Sequence, residues 1–272
     1  MKEECVDELG IDVAQSKAWF PTIEKTGYTF VEVTDEQARL WSDTLGLPIR
    51  RCYISDAVLA QRGAIHGSSR TDVLNAKTPP RGSTMAGDFG EIIVALFQAA
   101  EFSPGSLLEP KKWRLKHDRT KPASHSDIVQ FVVPTWPVAS DEDWILCAEV
   151  KTKSTAGQTE PIVAAIEDST KDRLSRLSKT LPWLRERALV EDLGTVTVAH
   201  LDRFINLTEH PPAGRRFRAV AVISEEMVQT ELITLPSDIP VECGVVVISV
   251  PRLKEVYESV FESVERAADT AP

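Results

Sequence analysis

The 272-residue chain has a formal net charge of −10, and 42% of its residues are hydrophobic. This composition is typical of a globular protein, and no apolar run is long enough to span a bilayer. The acidic excess excludes a protein that coats nucleic acid, but it allows a local basic groove. The start of the chain is acidic and lacks an apolar signal core, which predicts a cytoplasmic protein. Its widely spaced cysteines are expected to be reduced thiols: Cys5, Cys52, Cys147 and Cys243.

Residues 1–80 are predicted to form an accessory region of mixed structure. The alternating segment 28–33 favours a strand, and Thr34 or Asp35 favours the N-cap of a following helix. Another short helix is predicted over residues 55–62. The Pro- and Gly-rich segment 77–87 predicts a linker to a second domain over residues 81–272.

A strongly apolar helix is predicted to begin at Asp88 and to carry Glu91 in its first turn. Two interpretations of Glu91 stay open. It could reach back beside a capping Asp88, in a pair that suits the helix dipole. Alternatively, Glu91 could face a reaction site.

The densest basic run of the chain covers residues 111–121 and predicts an outer strand, because apolar and basic residues alternate in it. Its cations could guard a solvated strand edge. They could instead form a rim that contacts phosphates. The residues that would form this rim are Lys111, Lys112, Arg114 and Lys116.

Two apolar strands follow, and both carry charged residues at their ends. One begins after Asp127, and the other runs from Trp144 to Lys151. Two adjacent apolar strands joined by a loop are most simply an antiparallel pair, which could bring Asp127 near Glu149. Side chains alternate along a strand, so Glu149 and Lys151 share one face. Burial of these charges predicts either a matched ion pair or a reaction site, while Asp127 could also simply initiate a turn.

Asp127 and Glu149 offer the hard oxygen ligands that suit Mg²⁺. Lys151 beside them could orient or deprotonate a water and stabilise developing charge. A long helical stretch over 162–187 follows. Its basic residues, Arg176 among them, could approach phosphates, but the pattern favours a solvated amphipathic face. Strands are predicted at 217–224 and 243–250, and a helix is predicted to begin at Pro251.

The order of these elements resembles the PD-(D/E)XK nuclease superfamily over about residues 87–224. The resemblance implies an α/β (α+β) fold with a restriction-endonuclease-like core, in which helices flank a central mixed sheet. It also implies that Asp127, Glu149 and Lys151 are catalytic together with Glu91, the additional glutamate of the first helix. The three acids would bind Mg²⁺ or Mn²⁺. Ser126 occupies the position of the usual motif proline.

The Gly-Asp-Phe-Gly-Glu helix start and the Ala-Glu-Val-Lys strand are also similar to HamA, the nuclease subunit of Hachiman anti-phage systems. That resemblance implies cleavage of foreign DNA and a helicase partner. No association with membranes is expected, because no apolar run is long enough to span a bilayer. Two other classes stay open: a non-catalytic binding or assembly subunit on a nuclease-like fold, and an enzyme of different metal chemistry. The sequence has no P-loop, His cluster or Gly-x-Ser-x-Gly motif that would support the second class.

Overall fold

The protein is built around a mixed sheet of seven strands. The structure is a computed structural model, and it describes residues 7–102, 107–240 and 242–270, without the side chains of residues 13, 14 and 66. The strand order is β1-β2-β7-β6-β5-β4-β3. The pairs β1/β2, β3/β4 and β4/β5 are antiparallel, and β2/β7, β7/β6 and β6/β5 are parallel. The strands are β1 Thr22–Lys25, β2 Tyr28–Glu32, β3 Leu107–Leu108, β4 Ile128–Val132, β5 Trp144–Lys153, β6 Gly214–Ser224 and β7 Cys243–Val250.

Helices cover both faces of this sheet. The α-helices are α1 Val13–Ser16, α2 Asp35–Thr44, α3 Gly46–Tyr53, α4 Asp56–His66, α5 Arg70–Asn75, α6 Ser83–Glu101, α7 Pro161–Lys171, α8 Leu177–Ala188, α9 Val198–Ile205, α10 Glu225–Leu232 and α11 Leu253–Arg266. A π-helical segment, Asp172–Arg176, joins α7 to α8. Short 3₁₀ turns occupy Lys17–Trp19, Lys112–Leu115 and Ala267–Asp269. The α/β fold with a central mixed sheet, predicted from the sequence, is confirmed.

The two faces of β5 pack against different helical layers. Ala148 and Val150 belong to the hydrophobic core that includes α6. Ile145 and Cys147 point the other way and pack with the leucines of α8. Since side chains alternate along a strand, Glu149 lies on the same face as Cys147, toward α7 and α8.

The N-terminal residues join the same sheet and the same core. β2 and the helix capped by Thr34 form as predicted, and Thr34 makes a capping box with Gln37. β2 pairs with β7, and Trp41 of α2 packs against Phe89 of α6. One core therefore crosses the proposed boundary near residue 80, and the division into two domains stays a prediction. Cys5 lies outside the described residues, whereas Cys52, Cys147 and Cys243 are free thiols.

Helix α6 begins earlier than the sequence pattern suggests. It starts at Ser83 after Gly82, whose φ of +133° suits a residue without a Cβ. Asp88 and Glu91 therefore lie in the helix interior, and the interpretation of them as a capping pair is wrong. Asp88 is buried and instead accepts hydrogen bonds from Lys116 and Tyr53.

The basic run is not an outer strand, so that prediction is also wrong. Lys112–Leu115 form a 3₁₀ turn that buries Trp113 beneath α6. β3, β4 and β5 form an antiparallel group, and its first strand is the two-residue β3, which precedes this turn. Alternating charge can arise from cations that each meet an interior carboxylate, and the sequence pattern alone does not separate this arrangement from a solvated strand.

Candidate active site

Glu149 and Lys151 lie side by side near the end of β5. Glu149 is 3% exposed. Its Oε1 accepts a hydrogen bond from Lys151 Nζ at 2.7 Å, and its Oε2 accepts one from Arg176 Nη1 at 2.6 Å. Lys151 Nζ also lies 2.6 Å from Asp168 Oδ2. The carboxylate is thus held between two cations, one from its own strand and one from the neighbouring helical layer.

Asp127 reaches this position from the adjacent strand. It immediately precedes β4, and its Oδ2 accepts a hydrogen bond from the backbone N–H of Val150 at 2.9 Å. Ile128 pairs with Ala148, so one step further along the register Asp127 is opposite Glu149 and on the same face. Burial, followed by the charge of Asp127, raises the pKa of Glu149 to about 8. The two carboxylates are therefore close enough to repel each other.

Glu91 approaches Asp127 from α6, on the other side of the sheet. Its Oε2 accepts a hydrogen bond from Trp113 Nε1 at 3.1 Å and lies 3.2 Å from Lys112 Nζ. Lys112 Nζ also donates to the carbonyl oxygen of Ser126 at 3.0 Å. Burial raises the pKa of Glu91 to about 8; Lys112 opposes this rise and the charge of Asp127 adds to it. Asp127 therefore interacts electrostatically with both glutamates.

One helical face supplies three further charged residues that the sequence analysis did not assign to the site: Asp168, Asp172 and Arg176. Asp172 is 1% exposed, and its Oδ1 accepts a hydrogen bond from Ser126 Oγ at 2.8 Å. Ser126, at the position of the motif proline, thus links the Asp127 segment to the helix. The prediction that Arg176 belongs to a solvated face is wrong. The four-residue spacing of these charges is the signal that could have identified them.

The donor atoms suit a hard divalent cation, since all are carboxylate oxygens. One of them, Asp172 Oδ2, is buried and has no hydrogen-bond partner among the described residues. Within those same residues, no three His, Cys, Asp or Glu side chains are gathered around one point, and Lys112, Lys151 and Arg176 contact the carboxylates. The residues fit Mg²⁺ or Mn²⁺ in their chemistry, provided that a cationic side chain gives way.

The basic run lies inside the fold at residues 111–116, whereas its residues 117–121 are exposed. Its four predicted nucleic-acid-binding side chains are at most 10% exposed, and each has a carboxylate partner: Lys111 with Glu109, Lys112 with Glu91, Arg114 with Asp192, and Lys116 with Asp88. The premise of an exposed strand edge therefore does not hold. A role for these residues in nucleic-acid binding stays a prediction.

The sheet order and the carboxylate–lysine group beside β4 and β5 define an α/β protein with a nuclease-like core. A family profile described as HamA matches residues 15–264, so the chain belongs to the HamA family. This membership gives the protein the context of Hachiman-type anti-phage defence. No curated protein matches the chain. Of the helices in the described ranges, none is both long and apolar enough to cross a membrane.

Proposed function

We propose that this protein is a metal-dependent nuclease of the PD-(D/E)XK type that hydrolyses phosphodiester bonds of DNA. The observation that carries the proposal is the placement of Asp127, Glu149 and Lys151 on one face of two adjacent strands. Phosphodiester hydrolysis with metal assistance requires acidic ligands and a cation near the phosphoryl group. The Hachiman context supports foreign DNA as the substrate and a helicase as the partner protein, with the reaction taking place in the cytoplasm.

Each residue has a role in this proposal. Asp127 and Glu149 would hold Mg²⁺ or Mn²⁺, and Glu91 would complete the negative charge from the α6 side. The bound ion would polarise the phosphate and lower the pKa of its water. Lys151 would orient the attacking water and stabilise charge at the phosphate. Its Nζ lies 2.7 Å from Glu149, so both groups can act on the same water.

A groove beside Asp127 offers a path for the substrate. It has a volume of about 310 Å³, and its lining includes His117, Lys121, Arg187 and Trp183. Trp183 also lines the small cavity that reaches Asp127. Aromatic faces stack on bases and exposed cations follow the phosphate backbone. We infer that this groove takes the nucleic-acid strand, and that His117 and Lys121 at the exposed end of the basic run contribute to it in place of the buried cations at 111–116.

Charge reversal tests the groove. The double variant Lys121→Glu, Arg187→Glu should weaken DNA binding about tenfold or more at low salt and lower the salt dependence by about two phosphate contacts. The control Lys25→Glu, Arg39→Glu makes the same change in net charge near the opposite edge of the sheet. An equal loss of DNA affinity in the two double variants would show that the effect comes from overall charge, and the groove would then no longer be part of the proposal.

Plasmid cleavage tests the nuclease activity itself. Purified protein should nick plasmid DNA with Mg²⁺ or Mn²⁺ and lose the activity with EDTA. Lys151→Ala should abolish nicking, whereas Lys25→Ala, an exposed lysine on β1, should not change it. Cleavage by Lys151→Ala at the parent rate would indicate a contaminating nuclease and remove the support for the proposal.

The closed ion-pair network favours a second candidate, a non-catalytic assembly subunit. Both oxygens of Glu149 are bound by cations, and Lys151 has a second carboxylate partner in Asp168. A purely structural network would have this appearance. The stability of a Glu149 variant separates the two candidates.

A further inference from the structure

We propose that Arg176 is a mobile phosphate-binding residue: it occupies Glu149 before the divalent cation binds, and it moves to the substrate phosphate once the cation takes that carboxylate oxygen. The inference rests on the proposed function, because it requires a metal-dependent phosphodiester reaction. It assigns a role to a residue on the helical layer, outside the strands that carry Asp127, Glu149 and Lys151.

Arg176 is close to three carboxylates. Its Nη1 lies 2.6 Å from Glu149 Oε2 and 3.4 Å from Asp172 Oδ1, and its Nη2 lies 3.9 Å from Asp168 Oδ1. Only the Glu149 contact has the length of a strong charge-assisted hydrogen bond. The arginine side chain is 26% exposed, whereas that of Glu149 is 4% exposed. The side chain of Arg176 is therefore partly open to solvent, unlike the carboxylate that it contacts.

Moving Arg176 away from Glu149 need not leave it without a partner. Asp172 and Asp168 are already within ion-pair distance. Asp172 also has a buried Oδ2 with no hydrogen-bond partner among the described residues. A guanidinium has five N–H donors in a planar fork, so it can keep one carboxylate contact and direct other donors at a ligand. The site is thus arranged for an exchange of partners.

The local helix geometry supports a functional position. Arg176 is the last residue of the π-helical segment that begins at Asp172. Single π turns within α-helices are rare, and those that occur are often found at functional sites. Lys151 is the other cation on Glu149, but its compact ammonium is a point charge. The arginine fork matches a phosphate in two-point geometry, which makes Arg176 the better phosphate ligand.

The proposal predicts opposite effects on metal binding and on cleavage. Arg176→Gln removes a positive charge that competes with the metal for Glu149 Oε2, so Mn²⁺ should bind severalfold more tightly to the DNA-free protein. The same variant lacks the phosphate contact, so its cleavage rate at saturating Mn²⁺ should fall about 10²–10³-fold, which is typical for loss of one transition-state donor. Calorimetric titration with Mn²⁺ gives the first quantity, and single-turnover cleavage gives the second.

Two further variants make the test specific. Arg173→Gln removes an exposed arginine from the same π-helical segment. The only ion pair of Arg173 among the described residues is a 3.9 Å contact with Glu242, so this variant should leave both the Mn²⁺ affinity and the cleavage rate unchanged. Arg176→Lys keeps the positive charge near Glu149, so it should bind Mn²⁺ with nearly the parent affinity but cleave more slowly, because lysine lacks the fork.

Weaker Mn²⁺ binding in Arg176→Gln, together with a lower melting temperature, would mean that Arg176 only supports the fold, and it would overturn the proposal. Unchanged metal affinity would also overturn it, even in an active nuclease. A parent protein that does not cleave DNA would refute the proposed function instead. In that case the metal titration would still decide whether Arg176 competes for Glu149.

Discussion

Glu149→Gln is the substitution that most sharply separates a reaction site from a structural ion pair. Glutamine keeps the shape and hydrogen-bonding capacity of the side chain but cannot serve as an anionic metal ligand. Neither cation is stranded by the change, because Lys151 keeps Asp168 and Arg176 keeps Asp172. We therefore expect loss of metal-dependent cleavage without loss of metal-free stability.

The magnitude follows from the pKa of Glu149, which burial and Asp127 raise from 4.5 to about 8. The folded protein holds this proton more tightly than the unfolded chain does. The stabilisation that comes from the protonated Glu149 is complete below pH 4.5 and is lost as the pH rises toward 8. The loss has an upper limit of about 5 kcal/mol overall and about 3 kcal/mol at pH 7. Since glutamine carries no charge, Glu149→Gln should be as stable as the parent or more stable at pH 7.

Melting curves at pH 5.5 and pH 8.5, with and without Mg²⁺, measure these effects. One kcal/mol corresponds to about 2–4 °C in a protein of this size. The advantage of Glu149→Gln over the parent should grow between the two pH values. The parent should gain stability with Mg²⁺ by mass action, and the variant should not. The comparison variant is Asp143→Asn, which strands the buried Arg203 and should cost about 3–5 kcal/mol.

A loss of that size in Glu149→Gln at both pH values, with no Mg²⁺ response in the parent, would refute this reasoning. Glu149 would then behave as Asp143 does, as one half of a buried structural pair. The non-catalytic candidate would become the better account of the site.

Two further predictions concern the elements that hold the site. Gly90→Ala should destabilise the protein by about 1–3 kcal/mol in chemical denaturation and reduce its metal affinity, because a Cβ at this position would lie 2.0 Å from Thr152 Oγ1 and push α6 away from β5. The control is Gly87→Ala on the same helix, where a Cβ meets open space, and it should be neutral or stabilising. Burial raises the pKa of Asp168, but hydrogen bonds from Lys151 outweigh burial and lower this pKa to about 2. Asp168 should therefore lose its stabilising contribution as the pH falls from about 4 to about 2. Asp168→Asn should flatten the acid limb of the curve of stability against pH, and an unchanged acid limb would contradict this prediction.

The strand part of the site could be predicted because its signals are local. A continuous apolar run that ends in Glu149 and Lys151 indicates an interior strand, and its period of two places both charges on one face. Two adjacent apolar strands joined by a loop favoured the antiparallel pairing of β4 and β5, whereas the register that places Asp127 opposite Glu149 was read from the structure. These inferences needed only the chain between Asp127 and Lys151.

Most of the basic residues could not be placed in the same way, because the partners of Lys112, Arg114 and Lys116 are distant in sequence. Lys116 pairs with Asp88 across 28 positions, and Arg114 pairs with Asp192. A cation that is neutralised inside the fold and one that faces solvent give the same alternating pattern. The start of α6 was missed for a related reason, since Pro and Gly residues before Ser83 suggested that the loop continued.

The helical face of the site was hidden by a change of helical period. An α-helix turns about 100° per residue, so two successive four-residue steps drift by about 80° around the axis. By that rule Arg176 would lie about 80° from Asp168 around the axis, at the edge of the face that the four-residue spacing defines. The segment from Asp172 to Arg176 is π-helical and turns less per residue, which takes back part of the drift. A single wider turn therefore brings Arg176 back into line with Asp168 and Asp172, and from that position it reaches Glu149.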